Sequence, residues 1–327
     1  MANFVFPQHI HEDTVIFVYH HPRRISRDSE GHSQKRRGRE PKRGVTNNVN
    51  SQWLKWRIMY TLHSPYVRPV RMAEAYAGRI RPPDFLIIGT ERGGTTSLHS
   101  YLTENPRIVR ALRKEIHYFD QNYYKGWAWY VAHFPVRKKT ILSGEASPHY
   151  YFFPESADRI AESLPDTKLI MLLRNPIDRA YSHYQHEVAN GYEKLSFKDA
   201  ISREYTVTNG IWKPRDLRAN GISEYVHFSY LSKGLYATHL RWWMARIPRE
   251  RFLILRSESF FSNPGDGLSK VLNFLGLPPS DRSSFRKYNE GEYEPLDDKL
   301  RSQLLAFYAP YNDELSQLLG MDFRDWV

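Results

Sequence analysis

Residues Pro83–Leu102 read PDFLIIGTERGGTTSLHSYL. Phe85-Leu86-Ile87-Ile88 is an unbroken apolar run of the length of a strand buried on both faces. Gly89 ends it, and Gly93 and Gly94 follow in a short polar loop. Thr95 and Thr96 then open a segment that carries Leu98, Tyr101 and Leu102 at i, i+3 and i+4, one face of a helix. Strand, glycine turn and helix start are the parts of a phosphate cradle. Glycines let the backbone approach an anion, and the N–H groups and dipole of the first helical turn attract it.

Gly89 and Gly94 also have the Walker spacing of a glycine, four residues and a glycine. A Walker loop continues with Lys and then Ser or Thr, whereas Thr95-Thr96 stand here and the basic residue, Arg92, lies inside the loop. The expectation is phosphate binding without ordinary nucleoside triphosphate hydrolysis. The competing reading of this stretch alone is a strand-to-helix turn that only packs.

Downstream, apolar runs alternate with helical patterns. Ile141-Leu142 leads into a turn at Gly144-Glu145-Ala146-Ser147-Pro148, Lys168–Leu173 is a second buried strand, and Arg251–Leu255 is a third. Helices are expected over Glu155–Leu164 and from Ile177, the latter with Ala180, Tyr181, Tyr184 and Val188 inward. Further helices are expected over Leu235–Ile247 and Gly267–Leu275, stopped by Gly276, and two more close the chain around Leu300–Phe307 and Leu315–Leu319. The alternation means an α/β fold, a parallel sheet covered by helices on both faces. Pro176 suits the first position of a helix, so Arg174 projects from the carboxyl end of a strand, where open α/β sheets bind ligands. Ser182 lies two turns on, and Arg174 with Ser182 makes a second phosphate site. In Glu115-Ile116-His117-Tyr118 an extended chain would put Glu115 and His117 on one side, a base beside its support. The plain alternative is a surface pair of Glu115 with Lys114. Leu195–Leu231 reads as an insertion over the sheet edge, a substrate lid.

The 327 residues carry a formal net charge of +11 and no cysteine, which excludes disulfides and thiolate catalysis. Nine Lys/Arg against three acidic residues in Pro22–Arg43 give that segment +6, more than half the total, with almost no apolar residues. It reads as a disordered, solvated basic extension rather than a nucleic-acid arm, since no aromatic interleaving accompanies the charge. Trp53–Tyr60 reads as a short basic amphipathic helix that packs on the domain, membrane contact being the lesser alternative. The organisation expected is a basic extension over 1–80 and a catalytic domain over 81–327. The longest N-terminal apolar run, Thr14–Tyr19, is too short for a membrane span, and a cytoplasmic location is expected.

Four blocks in order, GTERGGTTSL (89–98), KEIHYFD (114–120), GEASPHYY (144–151) and LLRNPIDRAYSHY (172–184), resemble the carbohydrate sulfotransferases that use 3′-phosphoadenosine 5′-phosphosulfate (PAPS), above all the heparan sulfate N- and O-sulfotransferases and their bacterial relatives. The resemblance runs from about Pro82 to the C-terminus. It implies a P-loop NTPase-like three-layer fold. It implies a 5′-phosphosulfate loop at Arg92, Gly93, Gly94, Thr95 and Thr96, with Arg92 also stabilising the leaving group, and a 3′-phosphate site at Arg174 and Ser182. Glu115 matches the catalytic base and His117 its neighbour. The glycine loop Phe285–Tyr293, with Arg286 and Lys287, matches the segment that closes on the cofactor. No metal is implied; the acceptor would be a glycan or other hydroxylated molecule, sulfated on a hydroxyl or amine, with no nucleic-acid partner. Two positions depart from the family: Arg92 and Ala146 stand where lysines are usual. The rival readings are a P-loop kinase or NTPase and a non-catalytic basic binding protein.

Overall fold

The computed structural model describes residues 67–326 except 137–138, 208–221, 287, 289–290 and 292. The readings made for the chain before residue 67, for much of the insertion and for Lys287 lie outside the described residues.

Helix α1 (Val67–Tyr76) is tied to the domain by Arg71, whose guanidinium donates to the carbonyls of Ala132 at 2.8 Å and of Phe134. The compact unit that holds the described residues runs from Pro65 to Val327. Among the described residues five strands follow: β1 (Phe85–Gly89), β2 (Ile108–Arg110), β3 (Leu142–Ala146), β4 (Lys168–Leu173) and β5 (Phe252–Arg256). They form one sheet in the order β2-β3-β1-β4-β5, with every neighbouring pair parallel. This is the expected central parallel sheet.

Alternation along the strands divides the core. Leu86, Ile88, Leu169, Met171 and Leu173 pack on one face against α3 (Pro154–Ser163), α5 (Tyr236–Met244) and α7 (Asp298–Leu319), through Ala157, Ile160, Leu240, Trp243 and Leu315. Phe85, Ile87, Ile170 and Leu172 pack on the other against α2 (Thr95–Thr103) and α6 (Pro264–Leu275). Each such side chain stabilises the fold by about 1.5–3 kcal/mol. The helix after β1 and the helix after β3 therefore cover opposite faces, which opens a crevice between the carboxyl ends of these neighbouring strands.

Four expectations change. Gly144-Glu145-Ala146 is not a turn: it extends β3, in register with Phe85-Leu86-Ile87. The segment around Glu115 is not extended, because Glu115 and His117 have positive φ and Tyr118–Asn122 forms one π-helical turn. In α4 (Pro176–Ala189) the buried face is Ile177, Arg179, Ala180, Ser182, His183 and Glu187, whereas Val188 is exposed. Polar partners receive the charged side chains of that face: Arg179 donates to the Tyr230 carbonyl, and His227, half-buried, sits 2.7 Å from Glu187. The last two helices are one, α7, which continues through Pro310 with Leu304, Tyr308, Asn312 and Leu315 buried along it.

Candidate active site

The loop between β1 and α2 is shaped by its glycines. Gly94 is the N-cap of α2 at φ 92°, and a Cβ there would meet the Phe261 ring. Gly93 packs so closely that a Cβ would lie 2.6 Å from the Leu172 carbonyl oxygen. The Ser257 hydroxyl, at the carboxyl end of β5, donates to Gly93 O at 2.7 Å, and Thr90 Oγ1 donates to Leu172 O at 2.8 Å. The loop is thus pinned across three strand ends, and the first turn of α2 opens into a cavity of about 790 Å³.

That cavity brings together Arg92, Gly93, Gly94, Thr95, Thr96, Glu115, Arg174 and Ser182, sequence-predicted residues spread over some ninety positions. At one end Arg92 Nε donates to Ser182 Oγ at 3.1 Å, and Arg174 Nη1 donates to the Arg92 carbonyl at 3.1 Å. Both arginine heads and the serine form one cationic, hydrogen-bonding corner, and Asn175 caps α4 directly behind it by accepting from Ile177 N. Tyr288, Gly291 and Tyr293 of the glycine loop line the cavity as well. Arg286 does not: its guanidinium lies over the Tyr288 ring, 5.5 Å from the centroid.

At the other end stands a row of charged groups. Lys114 Nζ lies 2.9 Å from Thr96 Oγ1 and 2.5 Å from Glu115 Oε1. Glu115 Oε2 is 3.9 Å from His117 Nε2, and His117 Nδ1 is 2.8 Å from the buried carboxylate of Asp120. Burial opposes charge on Glu115, but His117 and Lys114 outweigh it and hold the carboxyl down at about 2. Burial likewise opposes charge on His117, and Asp120 with Glu115 outweighs it, raising the imidazole to about 10. At neutral pH Glu115 is a carboxylate and His117 an imidazolium.

The described non-glycine residues with positive φ are Arg92 at 63°, Glu115 at 58° and His117 at 53°. Such conformations cost roughly 1–3 kcal/mol each and persist where surrounding contacts enforce them. For the Glu115 segment those contacts centre on Glu145, fully buried at the end of β3. Its carboxylate accepts from the hydroxyls of Tyr130 at 3.0 Å, Tyr150 at 2.9 Å and Ser147 at 2.8 Å. Ser147 Oγ in turn accepts from His117 N, and Tyr150 OH from Tyr118 N. The Glu115 amide is held on the Ala146 carbonyl at 3.0 Å.

Sequence reasoning passed over several lining residues: Glu91, Lys114, His149, His186, Ser257 and Glu258 among them. Ser257 follows β5 directly, a strand-end signal that was there to use. Glu91 had no sequence signal: it meets the Lys233 ammonium at 2.6 Å and His149 Nε2 at 3.2 Å only through the fold. Among the described residues, two groups have ligand atoms within 4.8 Å of one another, His117/Asp120/His149 and Glu91/His183/Glu187. In the second, Lys233 already occupies Glu91.

Comparison with known proteins gives the site its context. The sulfotransferase domain family matches residues 82–298. The chain is 30% identical over 279 residues to the mouse heparan sulfate glucosamine 3-O-sulfotransferase 3B1, covering 78% of this chain and 68% of that one. It is 27% identical over 311 residues to the membrane-associated sulfotransferase kil1 of Dictyostelium discoideum, covering 74% of this chain and 66% of that protein. It is 30% identical over 284 residues to the mouse bifunctional heparan sulfate N-deacetylase/N-sulfotransferase 4, of which it spans 31%. A crystal structure of a sulfotransferase from Alicyclobacillus acidocaldarius superposes with a TM-score of 0.62 at 29% identity, covering 76% of this chain and 99% of the other. With the glycine loop, the parallel sheet and the matched span in agreement, the chain belongs to the sulfotransferase family and is a transferase of sulfuryl groups.

Proposed function

We propose that this enzyme transfers the sulfuryl group of PAPS to a hydroxyl or amine of a glycan, with Glu115 as base. One observation carries the reading: a single cavity has an anion cradle in the middle, a carboxylate at one end and an Arg–Ser–Arg corner at the other. The cradle N–H groups, with Thr95 and Thr96, would hold the 5′-phosphosulfate. Arg174 and Ser182 would take the 3′-phosphate. Arg92, whose Nε is already on Ser182, would add its charge there, and Tyr288 and Gly291 would close over the donor. Positioning and charge neutralisation dominate such in-line transfers. Glu115 would accept the acceptor's proton, oriented by His117. The glycan acceptor is inferred from relatives named for heparan sulfate.

The test measures thermal stabilisation by PAP, 5′-AMP and ATP, then transfer of labelled sulfate from PAPS to N-desulfated heparan sulfate. PAP stabilises the protein most. Glu115→Gln keeps PAP binding and lowers kcat by about 10²–10⁴-fold, the usual weight of general-base catalysis. Magnesium-dependent ATP turnover without PAP binding would replace this reading with a kinase.

A further inference from the structure

We propose that Lys114 is the catalytic cation at the sulfuryl end of the site, passing from Glu115 to the oxygen that bridges sulfur and phosphorus when the donor binds. This rests on the PAPS reading above. Position is the first argument. The Lys114 ammonium stands between the cradle and the base, 2.9 Å from Thr96 Oγ1 and 2.5 Å from Glu115 Oε1, and its side chain is 27% exposed to the cavity it lines. The lysine therefore bridges the two groups between which the sulfur must sit.

The second argument is where the arginines are. Arg92 and Arg174, the described arginines that line the cavity, have donors committed at the Ser182 corner: Arg92 Nε to Ser182 and Arg174 Nη1 to the Arg92 carbonyl. Among the described lysines and arginines of the cavity, Lys114 is the one in contact with both Thr96 and Glu115. An ammonium has three N–H donors, and these two contacts use two of them.

The third argument is the chemistry. The acceptor oxygen or nitrogen forms a bond to sulfur as the bond from sulfur to the bridging oxygen breaks. The electron pair of that bond stays on the 5′-phosphate of PAP, and the acceptor's proton goes to a Glu115 carboxylate oxygen. Lys114 keeps its proton throughout and donates a hydrogen bond to the oxygen on which charge grows. The same movement removes one of the two cationic partners of Glu115, so the carboxylate gains basicity at the step that needs it. A carboxyl held at about 2 by Lys114 and His117 is a weak base until that partner leaves.

The test compares wild-type protein with Lys114→Met and Lys114→Arg, reading labelled sulfate released from PAPS to N-desulfated heparan sulfate or to water, PAP affinity by calorimetry, and melting temperature. Lys114→Met is expected to lower kcat by about 10²–10³-fold, the cost of losing one donor to a developing oxyanion, with melting temperature little changed and PAP affinity lowered far less than kcat. Its acid limb in kcat/KM moves up by about 1–3 pH units as Glu115 loses a neighbouring charge, which a packing role would not do. Lys114→Arg recovers most of the lost kcat. Wild-type turnover that Lys114→Met leaves within about threefold, or an unmoved acid limb, overturns the role of Lys114 alone. Wild-type protein that neither binds PAP nor consumes PAPS overturns the donor assignment, and this role with it.

Discussion

The charge states around Glu115 follow from three neighbours. Glu115, with Lys114 on one oxygen and His117 near the other, is held down at about 2, while Asp120 and Glu115 together raise His117 to about 10. These shifts tie stability to pH in opposite directions. Glu115 contributes stability above its ordinary 4.5 and loses it as pH falls toward 2. His117 contributes fully below its ordinary 6.5 and loses that contribution as pH rises through 10. The melting temperature is therefore expected to fall between pH 7 and 10, and His117→Gln flattens that decline; an unchanged slope in the variant would mean that His117 is not the group that titrates. At this scale the sequence singled out Glu115 and His117, because KEIHYFD is a local signal. It did not disclose Asp120 as the histidine's partner or Lys114 as more than a surface pair. Both depend on the positive-φ turn at Glu115 and His117, which brings i and i+3 together where extended backbone would part them.

Among the elements, the β1–α2 loop carries the site, and its glycines are the least replaceable part. Gly94 combines φ 92° with the Phe261 ring in the place of any Cβ. Gly94→Ala is expected to destabilise the protein by at least about 1 kcal/mol in denaturant unfolding and to abolish PAP binding by turning the first N–H groups of α2. Retained affinity would show that the cradle tolerates a shift. This loop and β4 were legible because glycine spacing and apolar runs are local. The inward face of α4 was not. Periodicity points apolar side chains inward, yet Arg179, His183 and Glu187 are buried there, each 4% exposed or less. Their partners, the Tyr230 carbonyl and His227, arrive from a segment forty to fifty residues away, and no window on the helix itself contains them. The same holds for Gly144-Glu145-Ala146: composition suggests a turn, but pairing with β1 makes it strand and places the Glu145 hub under the Glu115–Tyr118 segment.

At the scale of the molecule, the sheet order β2-β3-β1-β4-β5 is what makes one site of residues far apart in sequence. Central β1 delivers the glycine loop, β3 on one side supports Glu115 through Ala146 and Glu145, and β4 on the other delivers Arg174 and, two turns into the following helix α4, Ser182. Alternating strands and helices made the parallel sheet readable in advance, and four motif blocks made the family readable. The reach of the cavity from Glu115 to Ser182 needed the three-dimensional order of the strands. The central claim is that the cradle in the middle of this cavity and the Arg–Ser–Arg corner at one end grip two separate phosphate positions of one donor. It is tested most directly by calorimetric titration of wild-type protein and Arg174→Ala with PAP and with 5′-AMP. PAP should bind wild type far more tightly than 5′-AMP, and Arg174→Ala should erase most of that preference while leaving 5′-AMP affinity nearly unchanged. Equal wild-type affinities, or an equal loss for both nucleotides in Arg174→Ala, would contradict the account.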